Sequence, residues 1–305
     1  MRDECPYPVA TPDTVCSLEG LLYFIWEREA IKIARDNGWE APWSNDPIFM
    51  KYKFTNIHRK DDRVSKWIID HIITPCEERR DLWFILLITR LINWPPTLYH
   101  LINTNILFKD VHDFDVRTFS ETIEEFKSKS DKVYSGAYMV YPTRLDPGSV
   151  KSLSIAKHII SSAVEKADDI TESLFSGAPC VERVVTELSN CFGISTFMGG
   201  QVAADLTYSY EHLANATDLY TYAPIGPGSS RGLNYLHHRK PFAAWSQTEF
   251  NSALMQINEE IIDQLQIDDL TLHDVQNCLC EYSKYCRAML GEGKPKTIYY
   301  PQGDF

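Results

Sequence analysis

The chain has 305 residues, 44% of them hydrophobic, and a formal net charge of -12. The apolar content supports a sizeable core and excludes general disorder. The acidic balance argues against a non-specific nucleic-acid binder, which is normally basic, but leaves room for a local basic site.

In chain order, residues 1–15 are Pro-rich and irregular. Ser17 is placed to cap a helix running to Asp36, with Leu21, Leu22, Phe24, Ile25 and Ile31 as its apolar positions and Asn37-Gly38 as its stop. A loop at Pro42–Pro47 leads into Lys51–Trp67, where Asn56, His58, Arg59, Asp61, Asp62 and Arg63 crowd together. Read as a helix, Asn56, Arg59, Asp62 and Arg63 share one face. Phe54, Ile57, Val64 and Trp67 then hold the other side to a core. Such a face can hydrogen-bond a base edge or a phosphate. The plain alternative is a solvated face with internal ion pairs.

Helices are expected near residues 61–73 and 78–93, with a break at Trp94-Pro95-Pro96 and a shorter helix from Thr97. Residues 108–114 read as a loop and 118–129 as a helix. The run from Val133 to Tyr141 is the one strongly β-like stretch, and its Ser135-Gly136-Ala137 marks close packing or backbone approach to a ligand. Further helices are expected near 150–174, 181–190, 197–213, 247–265 and 271–290. The whole reads as mainly α, without the strand–helix alternation of a doubly wound fold. A single helical domain is expected, or two closely packed lobes of about 1–145 and 146–305.

No apolar run approaches the roughly 18 residues that span a membrane, and the N-terminus carries no apolar signal segment, so a cytoplasmic protein without membrane association is expected. The eight cysteines include no Cys-x-x-Cys, and no His cluster has zinc spacing. Free thiols and no bound metal are the expectation.

Ile225-Gly226-Pro227-Gly228 has the form of a helix-hairpin-helix turn opening a helix. Its glycines allow a tight turn, and the helix N-terminus offers N–H groups and a positive dipole end to a phosphate. Ser229, Ser230 and Arg231 add donors, and His237, His238, Arg239 and Lys240 follow. An ordinary helix connection is the alternative. No Gly-x4-Gly-Lys-Ser/Thr occurs, which disfavours a P-loop kinase. A helix-hairpin-helix glycosylase would want an Asp about 20 residues after the turn, whereas the first Asp after Gly228 is Asp263. Near the C-terminus, Gln276, Asn277, Glu281, Lys284 and Arg287 fall on one predicted helix, hemmed by Leu279, Tyr282 and Tyr285.

Five landmarks now stand in order: Phe54-x-Asn56-x-x-Arg59-x-x-Asp62; Gly136-Ala137-Tyr138; Gln201-x3-Asp205; Gly226 to Asn234; and Leu279-Cys-Glu281-x-x-Lys284-Tyr285. Together they resemble the bacteriophage thymine-hypermodification proteins. That group comprises the α-glutamyl/putrescinyl-thymine pyrophosphorylases, or amino acid:DNA transferases, and the helical domain of 5-hydroxymethyluracil DNA kinases. The resemblance spans about residues 50–290. Without a P-loop it favours the transferase branch. It implies a helical DNA-glycosylase-like architecture and double-stranded DNA carrying 5-pyrophosphoryloxymethyl-uracil as substrate. An amino acid or polyamine would displace pyrophosphate, and a 5-hydroxymethyluracil DNA kinase would be the functional partner. No cofactor is implied beyond a divalent cation such as Mg²⁺.

That chemistry needs a flipped-out base, cations for the leaving group and a carboxylate for the ammonium proton. The resemblance assigns Asn56, Arg59, Asp62, Glu281 and Lys284 to catalysis. Arg59 and Lys284 would meet the anionic leaving group, and Asp62, Asp205 or Glu281 would take the proton. Asn56 and Gln201 would read the uracil edge, with Tyr138, Gln201 and Asp205 as substrate-binding residues. Gly226, Gly228, Ser229, Arg231 and Asn234 are the expected DNA-binding residues. The competing expectations are a non-catalytic DNA-binding module serving the kinase, and a glycosylase.

Overall fold

The computed structural model describes residues 5–136, 146–295 and Ile298. They divide into two units: the first holds both ends of the chain, up to Asp62 and from Tyr220, and the second runs from Arg63 to Leu219. All regular structure among the described residues is helical, apart from one isolated antiparallel bridge between Tyr52 and Ile298.

In the first unit, Ser17 accepts from the Gly20 N–H at 3.2 Å and starts α1 (Leu18–Asp36), as its sequence position predicts. Asp46 caps the short α2 (Pro47–Lys51) by accepting from the Ile48 N–H at 2.7 Å. Its other carboxylate oxygen accepts from the Tyr23 hydroxyl at 3.1 Å and the Tyr285 hydroxyl at 2.6 Å. This buried carboxylate thus joins α1, α2 and the C-terminal helix. Around it Phe24 stacks on Phe49 with ring centroids 5.3 Å apart, and Phe54 meets Phe49 edge-on at 5.2 Å.

The stretch 51–67 is not the helix its spacing suggested. Residues 53–58 are non-helical, Arg59–Asp61 forms one 3₁₀ turn, and α3 (Arg63–Ile68) begins only after Asp62. The reason is local: other side chains take up the peptide groups of residues 54–56, so those groups do not close helical i→i+4 bonds.

Three helices complete the unit: α12 (Pro227–Leu236), α13 (Gln247–Leu265) and α14 (Leu272–Met289). Ser246 and Glu249 form a capping box on α13, and Thr271 and Asp274 form another on α14. Gly228 and Gly232, one helical turn apart, let α12 lie directly on α14. A Cβ on Gly232 would overlap the Leu279 carbonyl oxygen, and one on Gly228 would overlap the Cys280 Sγ.

In the second unit, α3 continues through a π-helical turn at Ile69–Ile73. Every residue of α4 (Leu82–Ile92) is buried. The helix ends at Asn93, whose φ of 47° turns the chain into Trp94 and α5 (Pro95–Asn103). Then come α6 (Val116–Lys127), α7 (Lys151–Ser154), a π-helical stretch Ile155–Ile160, α8 (Ser161–Val164) and α9 (Ala167–Phe175). The helices α10 (Val181–Ser189) and α11 (Thr196–Leu206) close the unit. Of the β-like run, residues 133–136 carry no strand, and 137–141, including Ala137 and Tyr138, lie outside the described residues. Among the described residues no helix is long and apolar enough to cross a membrane.

The α12–α14 seam makes a clean prediction. Helix propensity favours Ala over Gly by about 1 kcal/mol. Gly232→Ala should nevertheless destabilise the protein by about 1–3 kcal/mol, because the methyl overlaps backbone rather than a movable side chain. Gly136→Ala, with nothing among the described residues within 4 Å of the added carbon, is the control and should leave denaturant unfolding unchanged.

Candidate functional site

The candidate site in the first unit is built on Arg28. This residue sits on α1 and is only 6% exposed. Its Nε donates to the carbonyls of Thr55 at 2.9 Å and Phe54 at 3.3 Å, and its Nη2 donates to the Asn56 side-chain oxygen. Asn56 in turn donates from Nδ2 to the Asp61 carbonyl at 2.8 Å and from its backbone N–H to the Asp62 carboxylate at 2.8 Å. The segment from Phe54 to Asp62 is therefore folded around one guanidinium and one amide.

Helix α14 meets this segment from the far end of the sequence. The Thr55 N–H donates to Glu281 at 3.4 Å. Asn277 donates to the Thr55 hydroxyl at 3.1 Å and to the Asn56 carbonyl at 3.3 Å. The Arg59 N–H donates to Asp274 at 2.8 Å. Glu281 is buried and ion-paired with the half-exposed Lys284. Asn56, Arg59, Asp62, Glu281 and Lys284 thus come together in one polar cluster, although more than two hundred residues separate its halves. They share no helical face: a non-helical segment and a helix supply them.

Charge in the cluster is finely balanced. Burial pushes the Asp62 carboxyl up to about 6, opposed by the Asn56 N–H and the Arg28 charge and reinforced by Glu281. Burial also pushes the Arg28 guanidinium down, while the carboxylate of Asp62 supports its charge. An acid that titrates near neutrality beside cations can exchange a proton with a bound amine.

Beside the cluster lies a cavity of about 380 Å³, whose lining includes Arg28, Trp43, Tyr52 and Phe54.

The glycine-turn residues are placed differently from expectation. The turn does open a helix, but the preceding helix, α11, ends at Leu206 and residues 207–226 carry none, so no tight helix-to-helix hairpin forms. Gly226 and Ser229 bond each other, the Gly226 N–H donating to the Ser229 hydroxyl at 3.2 Å. Gly228 is used for helix packing. Asn234 is fully buried and holds the following loop, donating to the Ala243 carbonyl at 2.9 Å and accepting from the Trp245 indole at 2.8 Å. Arg231 alone of the five reaches outward, its guanidinium 4.8 Å from the Phe242 ring centroid.

Gln201 and Asp205 lie on α11, in the second unit. Asp205 is fully buried, and both its oxygens accept from Arg90, at 2.6 and 2.5 Å. Arg90 also donates to Asn93 at 3.0 Å. The Asp205 carboxylate is thus engaged in a buried bidentate ion pair, an arrangement that also serves to hold helices together. Tyr138 lies outside the described residues.

The family model of the helical domain of 5-hmdU DNA kinase matches residues 16–295. The chain belongs to this family. A 5-hmdU DNA kinase of Bacillus phage SP10 is 24% identical over 280 residues, which covers 86% of this chain and 42% of that protein. The chain therefore spans less than half the length of this relative. No solved structure matches. The family's match takes in all three segments that build the cluster: α1, the 54–62 connection and α14.

Arg28 was missed by the sequence reading, although a signal was there. It follows Leu21, Phe24 and Ile25 at helical spacing, so a cation interrupts the buried stripe of α1. Asp274 was missed as well, its carboxylate serving both the α14 cap and the Arg59 N–H.

The raised Asp62 has a defined effect on stability. Below the ordinary carboxyl value of 3.8 it is protonated whether the chain is folded or unfolded, and it contributes nothing. Between there and about 6 only the unfolded chain loses the proton, so this group lowers stability as pH rises, by about 3 kcal/mol in all. Above 6 the loss is complete. Asp62→Asn, which keeps an oxygen for the Asn56 N–H, should gain about that much relative to wild type between pH 4 and 7 in urea unfolding. A pH-independent difference would show that Asp62 ionises normally.

Proposed function

We propose that the first unit carries a DNA base-modifying transferase site. In this reading it acts on a flipped-out 5-pyrophosphoryloxymethyl-uracil and exchanges pyrophosphate for an amine, from an amino acid or a polyamine. The observation that supports this most is the convergence of Asn56, Arg59, Asp62, Glu281 and Lys284 into one cluster of acids and cations within a family of DNA-kinase helical domains.

The reaction forms a C–N bond at the exocyclic methylene and breaks its C–O bond. The electron pair leaves with pyrophosphate. Lys284 and Arg59 meet the growing negative charge. The attacking nitrogen sheds a proton to Asp62, whose raised value suits a base working near pH 7, with Glu281 holding Lys284 in place. Asn56, oriented by Arg28, reads the uracil edge. A divalent cation such as Mg²⁺ arriving with the pyrophosphate would share its charge.

DNA reaches the site along the loop after α12. There Arg239 lies 4.1 Å from the Trp245 ring centroid, His238 and Lys240 are exposed, and Phe242 is 83% exposed beside Arg231. Cations bordering an exposed ring suit phosphate contact and stacking on an unpaired base. The likeness to helical DNA glycosylases belongs to this reading and rests on the all-helical fold, since the turn glycines are accounted for by packing. An infected bacterial cytoplasm is the corresponding location.

One observation favours a second reading. The similarity to the phage kinase covers under half of that protein, and a helical part that only holds DNA for a 5-hydroxymethyluracil DNA kinase would give the same match.

Mass spectrometry of nucleosides separates the readings. DNA bearing 5-pyrophosphoryloxymethyl-uracil is incubated with the protein, a pool of amines, and Mg²⁺ present or absent. The transferase reading expects an amine adduct. Unchanged DNA under every condition would leave the DNA-holding module, and a free base would indicate a glycosylase. Lys284→Met should slow adduct formation by about 10²–10³-fold without unfolding the chain. For DNA affinity, removing Arg239 and Lys240 together should reduce the slope of log K against log salt by about 2, one per lost phosphate contact. An unchanged slope would place the DNA elsewhere.

A further inference from the structure

The eight cysteines take no part in the transferase reading, and all are free thiols. Two of them, Cys16 and Cys286, meet where the ends of the chain come together in the first unit. The carbonyl that joins Val15 to Cys16 accepts from the Tyr282 hydroxyl and from Cys286 Sγ, the latter at 3.7 Å. The Ser17 carbonyl, on the other side of Cys16, accepts from the same hydroxyl at 3.2 Å. Tyr282 and Cys286 stand one turn apart on α14, so one face of that helix holds the chain on both sides of Cys16. Cys286 Sγ thus lies against the peptide group of Cys16, and the two thiols pair with each other.

The two thiols differ as an attacking sulfur and its partner must. Cys16 is half-buried, whereas Cys286 is fully buried. The hydrogen bond from Cys286 stabilises a thiolate at Cys16 and holds its titration below the ordinary thiol value, against burial and the charge of Glu292. Cys16 also stands beside Ser17, the N-cap of α1, where the positive end of the helix favours a negative charge. The other described thiols whose titration shifts all move up: burial does this to Cys76, Cys180, Cys191, Cys278, Cys280 and Cys286. A partly accessible, acidified thiol next to a buried one suits oxidation at the first and resolution by the second.

We propose that Cys16 and Cys286 form a redox modification site that takes a hydroperoxide as oxidant and closes to a disulfide. The Cys16 thiolate attacks a peroxide oxygen, the O–O bond breaks, and hydroxide leaves. Cys16 is then a sulfenic acid. The Cys286 sulfur attacks the Cys16 sulfur, the S–O bond breaks, and the departing hydroxide takes the Cys286 proton to become water. The two sulfurs together give up two electrons, which the peroxide takes. A dithiol reverses the bond by exchange. The bridge ties the segment ahead of α1 to the last turn of α14. It closes a loop over most of the chain, so oxidation restricts the unfolded state and makes the oxidised form the more stable one. None of these steps depends on the transferase reading.

The test treats the reduced full chain with hydrogen peroxide and digests it without reductant for mass spectrometry. The main cross-link should be a peptide pair joined through Cys16 and Cys286, two hydrogens lighter than the free pair and separated by dithiothreitol. Cys16→Ser should abolish it and leave Cys286 unoxidised. Removing the resolving thiol should strand the sulfenic acid: in Cys286→Ala, dimedone should label Cys16 several-fold more than in wild type. Cys286→Ser serves if the alanine variant misfolds by circular dichroism. The thermal midpoint of the wild type should rise on oxidation, and that of Cys16→Ser should not.

Cys16 and Cys286 left unlinked by peroxide would overturn the proposal. So would a dominant bridge to another cysteine, equal oxidation of Cys286 in Cys16→Ser, or a midpoint that fails to rise once the bridge has formed.

Discussion

The buried guanidinium of Arg28 is the constraint on which the first unit depends. A charged group so far from water persists only where acceptors surround it. Here the acceptors are the carbonyls of Phe54 and Thr55 and the side chain of Asn56. Meeting that requirement pulls the chain after α2 out of helical geometry. The freed N–H groups of Thr55, Asn56 and Arg59 then find carboxylates instead: Glu281, Asp62 and Asp274. One buried cation thereby sets where four acidic or amide side chains stand.

The protein uses buried ion pairs in two ways. Arg90 and Asp205 meet in a bidentate pair, and a neighbouring amide takes up a further N–H. Such a pair joins helix α4 to α11. Around Arg28 the matching is incomplete. One of its nitrogens lacks a partner, Asp62 is held near neutrality, and Lys284 stays half in solvent. Incomplete matching leaves groups that a ligand can satisfy, and sites of chemistry commonly show it.

The α12–α14 seam explains a motif by packing. Gly228 and Gly232 bring the two backbones together because any side chain would overlap α14. Close approach carries Cys280, Leu279 and the neighbouring Glu281 to a defined depth beneath α12. The same motif presents Arg231 and the basic loop on the outer side. Packing residues and outward cations alternate within ten residues, so a sequence motif there mixes two purposes.

Much of the architecture was legible from the chain alone. Ser17, Asn37 and the prolines at 95–96 mark helix ends through local chemistry, since caps and breaks depend on residues within a turn of each other. The all-helical class follows from apolar spacing for the same reason. The members of the candidate cluster were also legible, from their resemblance to a family. Their geometry was not. The segment 51–67 has helical spacing, and the hydrogen bonds that Arg28, Asn277 and Glu281 make to the peptide groups of residues 54–56 keep residues 53–58 non-helical. The glycines at 226–232 look like a ligand loop until α14 occupies the space beside them. Asp205 looks available until Arg90 is placed against it. Local sequence determines which backbone states are cheap; contacts between residues hundreds of positions apart decide which of those states satisfies a buried charge, and that choice belongs to the tertiary structure.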